Sequence, residues 1–382
     1  MKKFGIRKTL TLLLCLSTML FVFGCGSKDG DQADAGDEPA KTEKTTDEKI
    51  DDLIATMTLE EKVGQMFIVR CPSDGTDIQS VSEYKLGAYI LFADDFSGYT
   101  TEEVQTHIQN YQDEAKIPML IGVDEEGGTV CRISAYPEFR EEKFQSPREL
   151  YAQGGMDLLK EDAQEKSTLL KSLGVNLNFA PVCDISTDPS DFMYDRSLGE
   201  DPQTGGEFAK ALVQIGNNNG VGSILKHFPG YGNTADTHTG IAYDDRSADS
   251  FKESDFVPFE IGMTGGSCAI LVAHNIVNAF DPDMPASLSS AVHSILRDDL
   301  GFNGVILTDD LSMEAITDFT GSSAAAVTAV NAGNDMLCCT DYTVQIPAVI
   351  EACNNGEIDE ARINDSVHRI LLWKMELGLL TL

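Results

Sequence analysis

The sequence predicts an α/β fold, a single (β/α)8 barrel of TIM type, and three observations lead to it. From about residue 49 onward, eight short apolar runs alternate with longer amphipathic stretches. Gly and Pro bound most of these runs, as expected where strands pass into loops. Charged or imidazole side chains stand at the C-terminal ends of five successive runs, and a barrel gathers those ends on one face. A doubly wound open sheet is the arrangement that competes on alternation alone. At about 150 residues per domain the 382 residues would suit two domains, yet one α/β barrel commonly takes about 250 or more.

The chain opens with Lys2, Lys3, Arg7 and Lys8, followed by an almost wholly apolar stretch from Thr9 to Phe23. That stretch is too short to span a bilayer and reads as the apolar core of a signal peptide over residues 1–24. It ends Val22-Phe23-Gly24-Cys25, a bacterial lipobox pattern in which the cysteine is acylated and becomes the new N-terminus. Each buried acyl CH₂ contributes about 0.8 kcal/mol, so several chains hold even an acidic protein at a membrane. Residues 25–48 are rich in acids and carry no large apolar side chain after Cys25, so they read as a flexible spacer, with residues 49–382 as the barrel.

Within the barrel, Thr58-Leu-Glu-Glu61 is a capping box that starts a helix. The expected strands are Gln65–Val69, Ala88–Phe92, Met119–Val123, Asn176–Pro181, Gly222–Lys226, Ala269–Ala273, Val305–Thr308 and Asp335–Cys338. Helical periodicity covers Glu102–Ala115, Leu158–Leu173, Gly205–Asn217, Ala286–Leu300 and Ser322–Ala332.

The formal net charge is −34, from 62 acids against 28 Lys and Arg, which excludes nucleic acid as a partner because a phosphate backbone demands a basic footprint. An anionic membrane surface repels such a body, leaving the lipid on Cys25 as its expected membrane contact. Most of the acidity lies in the barrel itself, consistent with solubility at an outward-facing surface. Beyond Cys15 and Cys25 there are seven cysteines, an odd number with no CxxC pair, most of them in apolar runs. Buried free thiols are expected rather than disulfides or a zinc site.

The strand-end residues are Asp124 after the third run, Asp184 after the fourth, Lys226-His227 after the fifth, His274 after the sixth and Asp309-Asp310 after the seventh. Acids often follow strands as helix N-caps, which would account for Asp184 or Asp310 singly. It does not account for Lys226-His227 or His274.

Three segments go further: Ile121-Gly-Val-Asp-Glu-Glu-Gly-Gly-Thr-Val-Cys-Arg132, Lys226-His-Phe-Pro-Gly-Tyr-Gly-Asn-Thr-Ala-Asp-Thr-His238 and Val305-Ile-Leu-Thr-Asp-Asp-Leu-Ser-Met-Glu314. In this order, and with Gly174-Val-Asn-Leu-Asn-Phe-Ala-Pro-Val-Cys-Asp184 and Arg196-Ser-Leu-Gly199, the chain resembles glycoside hydrolase family 3. It is similar to that family's single-domain β-N-acetylglucosaminidase branch from about Lys49 to Leu380. The resemblance implies a retaining β-N-acetylhexosaminidase with Asp309 as nucleophile. It makes His238 the acid/base, with Asp236 holding one ring nitrogen; a reference pKa of about 6.5 lets one imidazole give and take a proton near neutrality. It assigns Asp124, Arg132, Arg196, Lys226 and His227 to the hydroxyls of N-acetylglucosamine. Carboxylates accept paired hydroxyl hydrogen bonds, and Arg and Lys donate to oxygens. His274 either lines the same face or is a satisfied core histidine, and Asp184 reads as structural.

Four positions depart from the family pattern. Glu125 and Cys131 stand where glutamines are usual, Thr129 where an arginine is, and Tyr231 where many relatives have the histidine of Phe-Pro-Gly-His-Gly. No metal or organic cofactor is expected. The implied ligand is an N-acetylglucosamine-containing oligosaccharide or muropeptide, met by a monomer held outside the cell membrane as a lipoprotein. Phosphate in place of water as acceptor is an alternative on the same scaffold. A metal-dependent barrel hydrolase using His227, His238 and His274, and a lipid-anchored solute-binding protein with two open lobes, are alternatives of other classes.

Overall fold

The computed structural model describes residues Lys44–Leu382. The expected signal peptide, the expected lipidation at Cys25 and most of the expected spacer lie outside the described residues. The first helix, Thr46–Thr56, begins inside the stretch expected to be spacer. Thr45 caps it and Glu48 reaches back to the Thr45 N–H at 2.7 Å, a reciprocal capping box. Its Ile50 and Ile54 bury in the apolar cluster shared with Ile363, Val367 and Ile370 of the C-terminal helix Glu360–Glu376. Among the described residues, helical structure thus begins at Thr46, ahead of Lys49.

Eight parallel strands form the barrel: β1 Phe67–Arg70, β2 Ala88–Leu91, β3 Leu120–Val123, β4 Leu177–Asn178, β5 Gly222–Phe228, β6 Ala269–Val272, β7 Val305–Thr308 and β8 Leu337–Cys339. They neighbour one another in chain order, β8 pairs β1, and a parallel bridge from Leu307 to Met336 closes β7 onto β8. Closure sets aside both the open doubly wound sheet and the two-lobed binding protein. All strand interiors are buried, as β-prone runs covered by helices must be.

Local chemistry explains where expected boundaries moved. Gln65 and Met66 were expected in the first strand, but the helix capped by Thr58 and Glu61 runs on to Gln65. β4 is short because Pro181 has no N–H to give the ladder; Ala180 and Pro181 only accept, from Ile224 and Lys226 at 3.0 and 3.2 Å. The helix expected at Ala286–Leu300 is broken at Ser289, whose extended backbone and capping hydroxyl start a new turn at Ser290. A two-residue parallel ladder, Tyr243–Asp244 with Ile276–Val277, lies outside the barrel.

Two buried polar groups tie the C-terminal helix to the barrel. Asp335, fully buried ahead of β8, meets the guanidinium groups of Arg297, Arg362 and Arg369 and accepts from Ser366 and the Ile306 N–H. Lys374, also fully buried, donates to Gln65 Oε1 at 2.7 Å and to the Gly87 carbonyl at 3.0 Å and has no carboxylate partner. The seven cysteines of the described residues are unpaired, and burial pushes the Cys71 and Cys268 thiols up to about 12.

Burial of an uncompensated ammonium lowers the pKa of Lys374 from 10.5 to about 7. The unfolded chain holds this proton up to about pH 10.5 and the folded chain releases it near pH 7, so Lys374 makes stability rise with pH between those values. Lys374→Met removes that dependence. Thermal unfolding should show the variant gaining on wild type at about pH 6 and losing ground by about pH 9. A stability difference that stays constant over this range would contradict it.

Candidate active site

The site begins where β3 ends. After Asp124, Glu125 and Glu126 the chain reverses through Gly127 and Gly128, at φ 102° and 64°. A Cβ at Gly127 would collide with the Gln145 carbonyl, so only glycine fits. The reversal lets the buried Glu125 accept from the N–H groups of Arg132 and Ile133 at 2.9 and 2.8 Å and from Ser134, bracing the loop from beneath. The Arg132 guanidinium is thereby held at the mouth, 3.8 Å from Asp124 and over the ring of Phe92. Arg70, the last residue of β1, lies against the same ring.

A buried charge network joins the neighbouring strand ends. Lys226 Nζ, near the end of β5, is 2.7 Å from both Asp124 Oδ1 and Glu126 Oε1. Arg196 grips Glu126 with two bonds, Nε to Oε2 at 2.9 Å and Nη2 to Oε1 at 2.7 Å. Burial alone would raise the pKa of Glu126, but Lys226 and Arg196 outweigh it and hold the carboxyl far below its ordinary value. Burial likewise opposes the charge on Lys226, and Asp124 and Glu126 overcome it, so the ammonium is retained.

His227 is fixed on both sides. Its Nδ1 lies 2.7 Å from Asp184 Oδ2, and its Nε2 lies 3.3 Å from Arg196 Nη2. Arginine can only donate, so Nε2 accepts and Nδ1 carries the proton to Asp184. Asp184 also accepts from the N–H groups of His227 and Tyr231. Burial works against its charge, and His227 with these backbone donors keeps its pKa below the ordinary range. The structural role read for Asp184 is this one.

On the opposite wall β7 delivers Asp309, whose Oδ1 accepts the Asp310 N–H at 2.9 Å. Burial pushes its pKa up, while His274, His227, that N–H and His238 pull it below the ordinary value, leaving a carboxylate. Asp310 lines the same cavity, but its carboxylate is engaged: it accepts from Ser312 N–H at 2.9 Å and the Thr340 hydroxyl at 3.1 Å. His274 is a satisfied core histidine. Its Nε2–H donates to the Asp310 carbonyl at 2.9 Å and its Nδ1 faces the Ser287 hydroxyl at 2.7 Å. It fixes the backbone beside Asp309 and does not line the cavity. With both ring nitrogens engaged in His227 and in His274, the metal-binding set has no free imidazole apart from His238.

The loop after β5 supplies the last group. Asp236 Oδ1 accepts the backbone N–H of His238 at 3.0 Å and the ring Nδ1 at 2.7 Å, which leaves Nε2 for the cavity. Past this turn Arg246 anchors the chain through bidentate bonds to Asp244 and Asp255 and one bond to the Gly230 carbonyl.

Asp124, Arg132, Arg196, Lys226, His227, His238 and Asp309 all line one cavity of about 430 Å³. Asp236 stands behind His238. The sequence reading missed Glu126, Arg70 and Phe92, which end or follow apolar runs and were visible there as strand-end residues. Of the departures, none lines the cavity: Glu125, Cys131 and Tyr231 are buried beneath it, and Thr129 lies on the outer side of the Gly127–Gly128 turn.

Removing Glu126 leaves Arg196 buried without its partner, so Glu126→Ala should cost about 3 kcal/mol or more, read from urea unfolding. A loss below about 1 kcal/mol would contradict the network. Because the folded pKa is depressed, this contribution is present above about pH 4.5 and is lost as pH falls. The gap between wild type and Glu126→Gln should therefore close in acid.

The sequence matches the Glycosyl hydrolase family 3 N terminal domain over residues 58–372. It is 31% identical over 337 residues to beta-hexosaminidase LpqI of Mycobacterium tuberculosis, covering 84% of each chain. It is 35% identical over 225 residues to a beta-hexosaminidase of Xanthomonas campestris pv. campestris, covering 58% of this chain and 67% of that one. Among solved structures, M. tuberculosis LpqI superposes with a TM-score of 0.77 at 29% identity, covering 85% of this chain and 96% of the other. A family 3 beta-N-acetylglucosaminidase from Paenibacillus sp. superposes with a TM-score of 0.78 at 30% identity; the chain spans 65% of that protein. By sequence over most of its length, and by the barrel it shares with these enzymes, the chain belongs to glycosyl hydrolase family 3 and is a glycoside hydrolase.

Proposed function

We propose that the protein is a retaining β-N-acetylhexosaminidase that releases terminal β-linked N-acetylglucosamine, with Asp309 as nucleophile and His238 as acid/base. One observation carries this reading. Asp309 lines the cavity with no cationic partner, its Oδ1 accepting a backbone N–H, and His238, held by Asp236, lines the same cavity. Asp124 is bound to Lys226, and Asp310, which also lines the cavity, accepts from Ser312 and Thr340. Both acids are thus engaged, whereas His238 Nε2 has no hydrogen-bond partner among the described residues and is left to protonate the leaving oxygen.

In the first step an Asp309 oxygen bonds the anomeric carbon as the bond to the leaving oxygen breaks, and the His238 Nε2 proton passes to that oxygen. In the second step neutral Nε2 takes a proton from water, the water oxygen bonds the anomeric carbon, and Asp309 departs as carboxylate. Asp236 holds Nδ1–H throughout and stabilises the imidazolium form that donates the proton. Asp124, Arg132, Arg196, Lys226 and His227 bind the sugar hydroxyls. A neutral base also suits an acidic surface, since it adds no negative charge beside the nucleophile.

The relatives' names support the N-acetylhexosaminide class, and the Cys25 lipobox pattern supports an enzyme tethered outside the membrane. Together they point to N-acetylglucosamine-containing wall fragments, muropeptides among them, as the substrate.

Asp309→Ala should fold and lose nearly all activity on any β-N-acetylglucosaminide. His238→Ala should lose about 10²-fold or more in kcat/KM on N,N′-diacetylchitobiose and far less on an aryl glycoside with a good leaving group. Equal losses on both substrates would remove His238 from the acid role, and wild-type turnover by Asp309→Ala would overturn the whole assignment.

A further inference from the structure

Tyr231 stands where many relatives carry a histidine, four residues after His227 in the segment that leaves β5. It is 2% exposed and does not line the cavity, so it does not touch the sugar. Its backbone N–H bonds Asp184 Oδ1 at 2.8 Å, and its ring packs edge-on against His227 and Phe192. The phenol thus starts from the rigid part of the site. Its hydroxyl lies 2.7 Å from Thr237 Oγ1, and Thr237 is the residue between Asp236 and His238. Thr237 is fully buried, although His238 beside it is mostly exposed. Neither hydroxyl has another hydrogen-bond partner among the described residues, so each satisfies the other. Burial, with the Asp309 charge nearby, pushes the phenol well above its ordinary pKa, and the hydroxyl keeps its proton.

We propose that Tyr231 is a positioning residue for the acid/base: its hydroxyl, bonded to Thr237 beneath the surface, seats the Asp236–Thr237–His238 turn so that His238 Nε2 faces Asp309. The proposal rests on His238 being the proton donor. The bond is the point at which the turn is held from below, while the helix Glu314–Thr317 packs against it from the other side. Thr234 strengthens the arrangement by folding back on the Tyr231 carbonyl through both its N–H and its hydroxyl. If the turn swings out, the nucleophile and the sugar contacts are untouched and proton transfer alone suffers.

The test compares kcat/KM on N,N′-diacetylchitobiose, whose leaving group needs a proton, with that on an aryl N-acetylglucosaminide, whose leaving group does not. Tyr231→Phe keeps the ring and should lose about tenfold or more on the disaccharide and less than about threefold on the aryl substrate. Thr237→Val should match it, Thr237→Ser should restore the wild-type ratio, and the Phe/Val double variant should be no worse than either single one. Equal losses on the two substrates, additive losses in the double variant, or failure of Thr237→Ser to restore the ratio would overturn the proposal. His238→Ala, assayed alongside, separates the two ideas. If it shows the leaving-group dependence and Tyr231→Phe does not, the tether fails alone; if it shows none, the acid/base reading fails with it.

Discussion

The interaction on which the rest depends is the buried ion cluster of Glu126 with Lys226 and Arg196. Three chain segments meet there: the end of β3, the end of β5 and the stretch after β4. Each charge is buried at a cost that only its partners offset, so the three segments can occupy one arrangement and not a range of them. That constraint sets where Asp124 points, which nitrogen of His227 carries its proton, and how Arg196 faces the cavity. This wall is held in place because its buried charges share partners across the three segments.

The same cluster explains the division of labour across the cavity. Asp124 and Glu126 on that wall are each paired with a cation, so the proposed mechanism draws its proton from elsewhere. Asp309, on the opposite wall, is held by one backbone N–H and set in place by His274 through the Asp310 carbonyl. The proposed proton donor comes instead from the loop after β5, on a turn exposed at His238 and buried at Thr237. In the proposed mechanism binding and nucleophilic attack thus belong to the barrel, and proton transfer to a loop fastened to it at Tyr231 and Arg246.

Much of this was legible in the sequence because barrel strands announce themselves as apolar runs and their last residues fall on one face. Asp124, Lys226, His227 and the Asp309-Asp310 pair stand at strand ends on that ground, while the choice of Asp309 and the roles come from the family resemblance. Other features were not separable without coordinates. His274 and His227 both end strands, and nothing in composition distinguishes a histidine that braces a carbonyl from one that lines a cavity. Glu126 follows two other acids, and only the Gly127–Gly128 turn decides which of the three faces Arg196. The Thr45–Glu48 capping box was present in the sequence but lay inside an acidic stretch, and its charge masked the helix start. Tyr231 was visible as a departure, while the hydroxyl it meets depends on how a loop folds back.

The central claim is that Asp309 forms a covalent bond to the sugar, and direct trapping tests it. A 5-fluoro-N-acetylglucosaminyl fluoride carries a leaving group that departs without acid help and a ring fluorine that slows release of the glycosyl-enzyme. After incubation and proteolysis, mass spectrometry should find the sugar on the peptide containing Asp309, attached at that residue. A sugar found on Asp310 or Asp124, or turnover with no adduct and an inverted product, would contradict the account.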